Sequence, residues 1–294
     1  MLAAASAAVP VLASAAGQEV GTTQIDNDGV KLNVKLYGPK KGKPVLLLHG
    51  FPDTGRVWSK QIAPLAEAGF RLIVPDQRGY GHSDKPSGIE AYKMVHLASD
   101  AIAILDQVGV EKATVVGHDW GANVAWSVAT FAPQRVDRLV ALSVGHPSTA
   151  RSGDIEQRQK TWYMLLFQFE GIAEHWLSDS GWTNFRTWSH HPDADAVIAE
   201  LEANRSLTPA LNWYRSNFYP RILIQPPPKL PKITVPTMGV WGSGDFAAIE
   251  ERMTGSSEFI AAPWRYERLD GAGHWLQWEA PEKVNRLLLD FLSG

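Results

Sequence analysis

The chain has 294 residues, 45% of them hydrophobic and 20% charged, with a formal net charge of −3 and no cysteine. That length suits one large domain, or a domain carrying an insertion, with a substantial core. The lack of cysteine excludes disulfides, thiolate catalysis and Cys-ligated zinc, and a slightly negative chain without a basic run offers no footprint for nucleic acid.

Residues 1–16 are almost all Ala, Val, Leu and Ser, broken by Pro10. The run is too short to span a bilayer as a helix, and no transmembrane segment is expected. Ala13-Ser14-Ala15 resembles a small-residue cleavage site, yet no Lys or Arg precedes it. Residues 1–19 therefore read as a leader, either a remnant export signal or a disordered segment, and the protein as exported or cytoplasmic accordingly.

Beyond it, strands and helices alternate. Residues 30–37 alternate apolar and polar, a half-buried strand. Residues 44–48 and 71–74 are continuous apolar runs, which predict strands buried on both faces. The first ends in His49-Gly50-Phe51-Pro52-Asp53 and is followed by a helix over 57–68. Apolar spacing of three and four residues predicts a helix over 92–108, capped by Gly109. Strands at 113–116 and 136–144 follow, with a helix over 122–132 between them. Residues 146–228 carry long amphipathic stretches dense in aromatics. The strand pattern resumes over 233–241 and 264–269, and a helix closes the chain over 281–292. The pattern predicts an α/β fold: a mostly parallel central sheet flanked by helices. Its core covers 20–145 and 229–294, with an inserted helical lid (cap) at 146–228.

The most informative stretch is Val115-Val116-Gly117-His118-Asp119-Trp120-Gly121. A buried strand ends in Gly-x-Asp-x-Gly and a helix starts at once, the layout of a nucleophile elbow. The usual Ser is replaced by Asp119. A carboxylate is a poor acyl acceptor, but it can displace a leaving group at saturated carbon and form an alkyl ester. Asp245 and His274 follow later strands, and loops at the carboxyl ends of parallel strands share one edge. The order nucleophile, carboxylate, histidine matches the α/β-hydrolase arrangement. Asp119 attacks, His274 activates water, and Asp245 fixes the imidazole tautomer. Backbone N–H groups of Trp120 and Phe51 are the candidate oxyanion hole.

The segments HGFPD (49–53), PDQRGYGHSD (75–84), GHDWGANVAW (117–126), WYMLLFQFEGIAE (162–174), LNWYR (211–215) and GAGHWLQWEAPEKVN (271–285) resemble those of α/β-hydrolase-fold epoxide hydrolases of the soluble or microbial type. The resemblance covers nearly everything from about residue 20 onward. It implies that two lid tyrosines, matching Tyr163 and Tyr214, hydrogen-bond the epoxide oxygen and protonate it as the ring opens. This makes chemical sense, because an emerging alkoxide is a strong base and a phenol a capable acid. The expected reaction converts an epoxide and water to a vicinal diol through an ester on Asp119. Haloalkane dehalogenase is the competing enzyme: the Trp120 indole would suit halide, but Phe51 lacks the side-chain donor that family commonly has there. Haloacetate dehalogenase would need cations near the elbow, and residues 122–126 hold none. The missing Ser disfavours an esterase. A ligand-binding protein with a dead site is a third reading, although no triad member is lost.

Other signals carry less. His190-His191 with Asp193 and Asp195 could suggest a metal, but the polar, proline-bearing segment reads as an exposed lid loop. His49 and His118 read as loop supports. Asn204-Arg205-Ser206 is a glycosylation triplet whose meaning depends on secretion. Met164, Phe167, Trp188 and Phe246 either line an apolar pocket or belong to the core. No metal or organic cofactor is implied. The expected partners are a small apolar epoxide and water, and the expected assembly a monomer or homodimer.

Overall fold

The computed structural model of the chain describes residues 17–149, 154–226 and 228–294. The leader reading for residues 1–16, and the middle proline of 226–228, lie outside the described residues. The strands are β1 Glu19–Asn27, β2 Val30–Tyr37, β3 Pro44–Leu48, β4 Arg71–Pro75, β5 Ala113–His118, β6 Val136–Leu142, β7 Thr237–Gly242 and β8 Trp264–Leu269. They form one sheet in the order β1-β2-β4-β3-β5-β6-β7-β8. β2 pairs antiparallel with β1 and β4, and every other pairing is parallel.

The continuous apolar runs are explained by burial on two faces. Along β3, Leu46 and Leu48 point into one core and Val45 and Leu47 into another. The second core is completed by α1 (Ser59–Glu67) and α11 (Pro281–Ser293), through Leu65 and Leu288 among others. The first is completed by α2 (Met94–Gln107) and α3 (Trp120–Phe131), through Ile104 and Val124. Each such side chain contributes roughly 1.5–3 kcal/mol by leaving water. Between β6 and β7 lie α4 (Ile155–Lys160), α5 (Tyr163–Leu166), α6 (Ile172–Ser189), α7 (Ala194–Ala203) and α8 (Leu207–Asn217). Phe167, Phe185, Leu201 and Trp213 from this insertion merge with the first core, above the carboxyl ends of the strands. Two short helices, α9 (Glu250–Thr254) and α10 (Leu276–Glu279), flank β8. No helix among the described residues is long and apolar enough to cross a membrane.

Four sequence expectations need correction. The leader does not extend to residue 19, because Glu19 already opens β1. That strand lies at the sheet edge with only Ile25 fully buried, so it lacks a clear apolar pattern. The helix after the elbow starts at Trp120, two residues earlier than expected. β6 stops at Leu142, where Ser143 turns to φ 68°. β7 starts only at Thr237, after Pro236, which has no N–H to donate to a neighbouring strand; Ile233 makes an isolated bridge to Ile260.

Candidate active site

The turn between β5 and α3 is as tight as the sequence implies. Asp119 has φ 52° and ψ −121°, strained for a residue with a side chain. A Cβ at Gly117 would lie 2.2 Å from the Gly121 oxygen, and one at Gly121 would lie 2.1 Å from the Leu48 oxygen. Neither distance is possible for a real side chain, so glycine is required at both positions. Across the turn, a Cβ at Gly50 would meet Oδ1 of Asp119 at 2.4 Å. Glycine there lets the Phe51 N–H reach that oxygen at 2.8 Å. The Trp120 N–H is the first of α3 and has no acceptor within the helix.

His274 follows β8 and faces both carboxylates. Its Nδ1 lies 3.0 Å from each oxygen of Asp245, and its Nε2 lies 3.5 Å from Oδ2 of Asp119. Asp245 is fixed in turn by the N–H groups of Ala247 and Ala248, at 2.8 and 3.0 Å. Burial opposes a charge on His274, but Asp245 and Asp119 outweigh it and raise the imidazole to about 10. Burial also opposes charge on Asp245, and the His274 pairing with the two N–H bonds holds its pKa below the ordinary value. The imidazole of His274 is therefore held in its protonated form. His118 and Ser143 both reach the backbone oxygen of His274, at 2.9 and 2.7 Å, and steady the loop that carries the imidazole.

Tyr163 on α5 and Tyr214 on α8 come together above Asp119, with ring centres 6.2 Å apart. Burial, and then the Asp119 charge, push both phenols well above their ordinary value, so both are protonated. The Trp120 indole packs edge-on to Tyr214, with ring centres 5.0 Å apart. The helices bearing the two tyrosines are locked by Arg215. Its guanidinium donates to both oxygens of Glu174, each at 2.9 Å, and to the Phe167 carbonyl at 2.9 Å. Such a bidentate pair fixes geometry as well as adding energy.

Asp119, Tyr163 and His274 open onto a cavity of about 490 Å³ that continues along α3 past Asn123 and Ser127. Of the four expected pocket residues, Met164 lines this cavity. Trp188 and Phe246 instead line a separate, more open depression of about 620 Å³. Phe167 lines neither. It is fully buried among Phe51, Tyr163, Trp188 and Tyr214, where it supports the tyrosine pair.

The segment around His190 also needs correction. His190 is exposed, but His191 is buried and its Nε2 lies 3.2 Å from Asp53. Its Nδ1 accepts from the Asp193 N–H at 3.0 Å, which leaves the proton on Nε2 to donate to Asp53. The other Asp53 oxygen accepts the Trp275 indole N–H at 2.9 Å. Beside this junction, Thr54 and Arg56 bind Glu200, at 2.9 and 3.0 Å, and Arg56 also pairs with Asp193. Nothing local in the sequence marks these links. Their partners lie 137 to 222 residues apart. The signal that existed was Asp53 itself, a charge directly behind the buried strand β3.

Comparison with known proteins places these features in a family. A family model described as the α/β hydrolase fold matches residues 43–281. The chain is 33% identical to the AB hydrolase superfamily protein YfhM of Bacillus subtilis, over 92% of this chain and 97% of the relative. It is also 33% identical to epoxide hydrolase A of Mycobacterium tuberculosis, over 92% and 96% of the two chains. The crystal structure of epoxide hydrolase A from Mycobacterium thermoresistibile superposes with a TM-score of 0.78 at 32% identity, covering 93% of this chain and 98% of that one.

Proposed function

The chain belongs to the epoxide hydrolases of the α/β-hydrolase fold, and on that premise we propose how its own residues turn an epoxide and water into a vicinal diol. The carrying observation is the placement of Asp119 between two protonated phenols on one side and a carboxylate-backed imidazolium on the other. Tyr163 and Tyr214 hold the epoxide oxygen from the insertion side, and residues 146–228 serve as a cap over the site. Oδ2 of Asp119 attacks a ring carbon, the C–O bond breaks, and a phenol delivers its proton to the leaving oxygen. Oδ1 stays on the Phe51 N–H, and the Trp120 N–H completes the oxyanion hole.

Ester formation removes the Asp119 charge. That charge raises both phenols and supports the imidazolium. Its loss makes the tyrosines stronger acids as the alkoxide forms, and makes the imidazolium a stronger acid too, so that His274 gives up its proton to the phenolate more easily. Neutral His274 then takes a proton from water, whose oxygen attacks the ester carbon. Collapse of the tetrahedral adduct expels the second diol oxygen, which takes the remaining hydrogen of the water, and returns the Asp119 carboxylate and the imidazolium. Asp245 holds Nδ1–H throughout.

The halide reading loses ground, because Phe51 brings no side-chain donor to act beside the Trp120 indole. The test is to offer one sample a small aryl epoxide and a chloroalkane of similar size, and to quantify diol and chloride separately. Diol without chloride is expected. Chloride without diol would overturn the roles given to the tyrosines.

A further inference from the structure

The 490 Å³ cavity and the 620 Å³ depression are separated by a thin partition. Neighbouring residues face opposite sides of it. Gln157, Thr161 and Tyr163 line the cavity, while Glu156, Lys160 and Trp162 line the depression. The loop after Asp245 behaves likewise, with Ala247 on the cavity side and Phe246 on the other. The two halves are joined by hydrogen bonds. Lys160 donates to the Asp245 carbonyl at 2.7 Å, and Gln157 bridges the Ala247 carbonyl and the Ile249 N–H at 2.7 and 3.0 Å.

The seam beside the reacting atoms is filled by rings. Phe246 stands 5.4 Å from the His274 ring and 6.5 Å from Tyr163, and packs edge-on against Trp188 at 5.8 Å. Trp188 closes on Tyr163 at 4.5 Å. A substrate held between Asp119 and the tyrosines thus has room on one side only, along α3. On the opposite side it meets this wall.

We propose that Phe246, backed by Trp188, is a specificity-determining residue that restricts the enzyme to epoxides substituted on one ring carbon, by closing the site toward the depression. This rests on the epoxide hydrolase reading and names its substrate class. One substituent runs along α3, and the unsubstituted CH2 faces the wall. A trans-disubstituted epoxide places a second group where the Phe246 ring lies. A packed wall resists even added methylenes; a second aryl group exceeds what it can yield.

The test compares kcat/KM for styrene oxide and trans-stilbene oxide, in the intact chain and in Phe246→Ala. The intact chain should favour styrene oxide by at least about 100-fold. Phe246→Ala joins the cavity to the depression and should shrink that ratio at least about tenfold, through gain on the stilbene substrate. Because the ring also packs on His274, Phe246→Leu serves as a second variant with a smaller shift in the same direction. A ratio near one in the intact chain, or an unchanged ratio in whichever variant hydrolyses styrene oxide, overturns the proposal. Two inactive variants beside an intact chain that turns over both substrates overturn it too. If both variants are inactive while the intact chain favours styrene oxide, Trp188→Ala reads the same wall from its other side, and an unchanged ratio there sinks it. Failure of the intact chain to hydrolyse any epoxide would instead count against the reading on which the proposal rests.

Discussion

Replacing Asp245 by Asn separates the two chemical steps. The carboxylate holds Nδ1–H of His274 with both oxygens at 3.0 Å. An amide of the same shape presents its NH2 there, forces the proton onto Nε2, and leaves no lone pair toward water. The raised imidazole pKa, from an ordinary 6.5 to about 10, corresponds to about 5 kcal/mol of preference for the imidazolium, shared between Asp245 and Asp119. Loss of the Asp245 share together with the wrong tautomer should slow ester hydrolysis by about 10,000-fold. The nucleophile, the Phe51 N–H and both tyrosines are untouched, so alkylation continues. Rapid mixing of Asp245→Asn with excess styrene oxide should consume about one equivalent of epoxide in a burst and then nearly stop. Mass spectrometry of the intact protein should show one added substrate mass, localised to Asp119. Steady turnover within tenfold of the unmodified chain would refute the role of Asp245. Lost turnover without an adduct would show that Asp245 serves alkylation instead.

The double change Tyr163→Phe with Tyr214→Phe removes both proton donors while keeping the rings, and should slow single-turnover alkylation by at least about 1,000-fold at unchanged circular dichroism; an unchanged rate would disprove their role. Gly50→Ala puts a methyl 2.4 Å from Oδ1 of Asp119, displacing the Phe51 donor, and should lower kcat by at least about 100-fold; near-normal kcat would show that the hole lies elsewhere. Stability should peak near neutral pH. Burial lowers His49, His118 and His146, the last two to about 4; the unfolded chain therefore binds more protons below pH 6.5, and Tm falls as pH drops toward 4. His274 has the opposite sign: raised to about 10, it stabilises fully below 6.5 and loses that contribution as pH rises toward 10. Thermal melts of the unmodified chain and His274→Gln over that range check this, and an alkaline decline of equal depth in both would contradict it.

The sequence was most legible where a requirement is local. Gly117 and Gly121 are demanded by backbone contacts near 2 Å, and the buried runs of β3 and β4 are continuous because each face has its own core. Legibility failed where geometry joins distant residues. The strand β1 has one buried side chain in nine, so edge pairing alone defines it. His191 sits in a polar stretch that looks solvated, and contacts with the distant Asp53 and Trp275 make it interior. Met164 lines the cavity while Phe167, just past the end of α5, does not. Residue type could not separate them, because both are apolar and lie three positions apart.

The links from Asp53, Thr54 and Arg56 to His191, Asp193 and Glu200 bear on how such enzymes can be recombined. A chimera that transplants only the inserted helices onto another core leaves behind half of every link. In this chain it would strand Asp53, a buried carboxylate with the indole of Trp275 as its remaining side-chain donor, next door to His274. The transplantable unit is therefore discontinuous: the helices together with residues 53–56 of the loop that follows β3. Exchanging the helices alone damages a base that they do not contain.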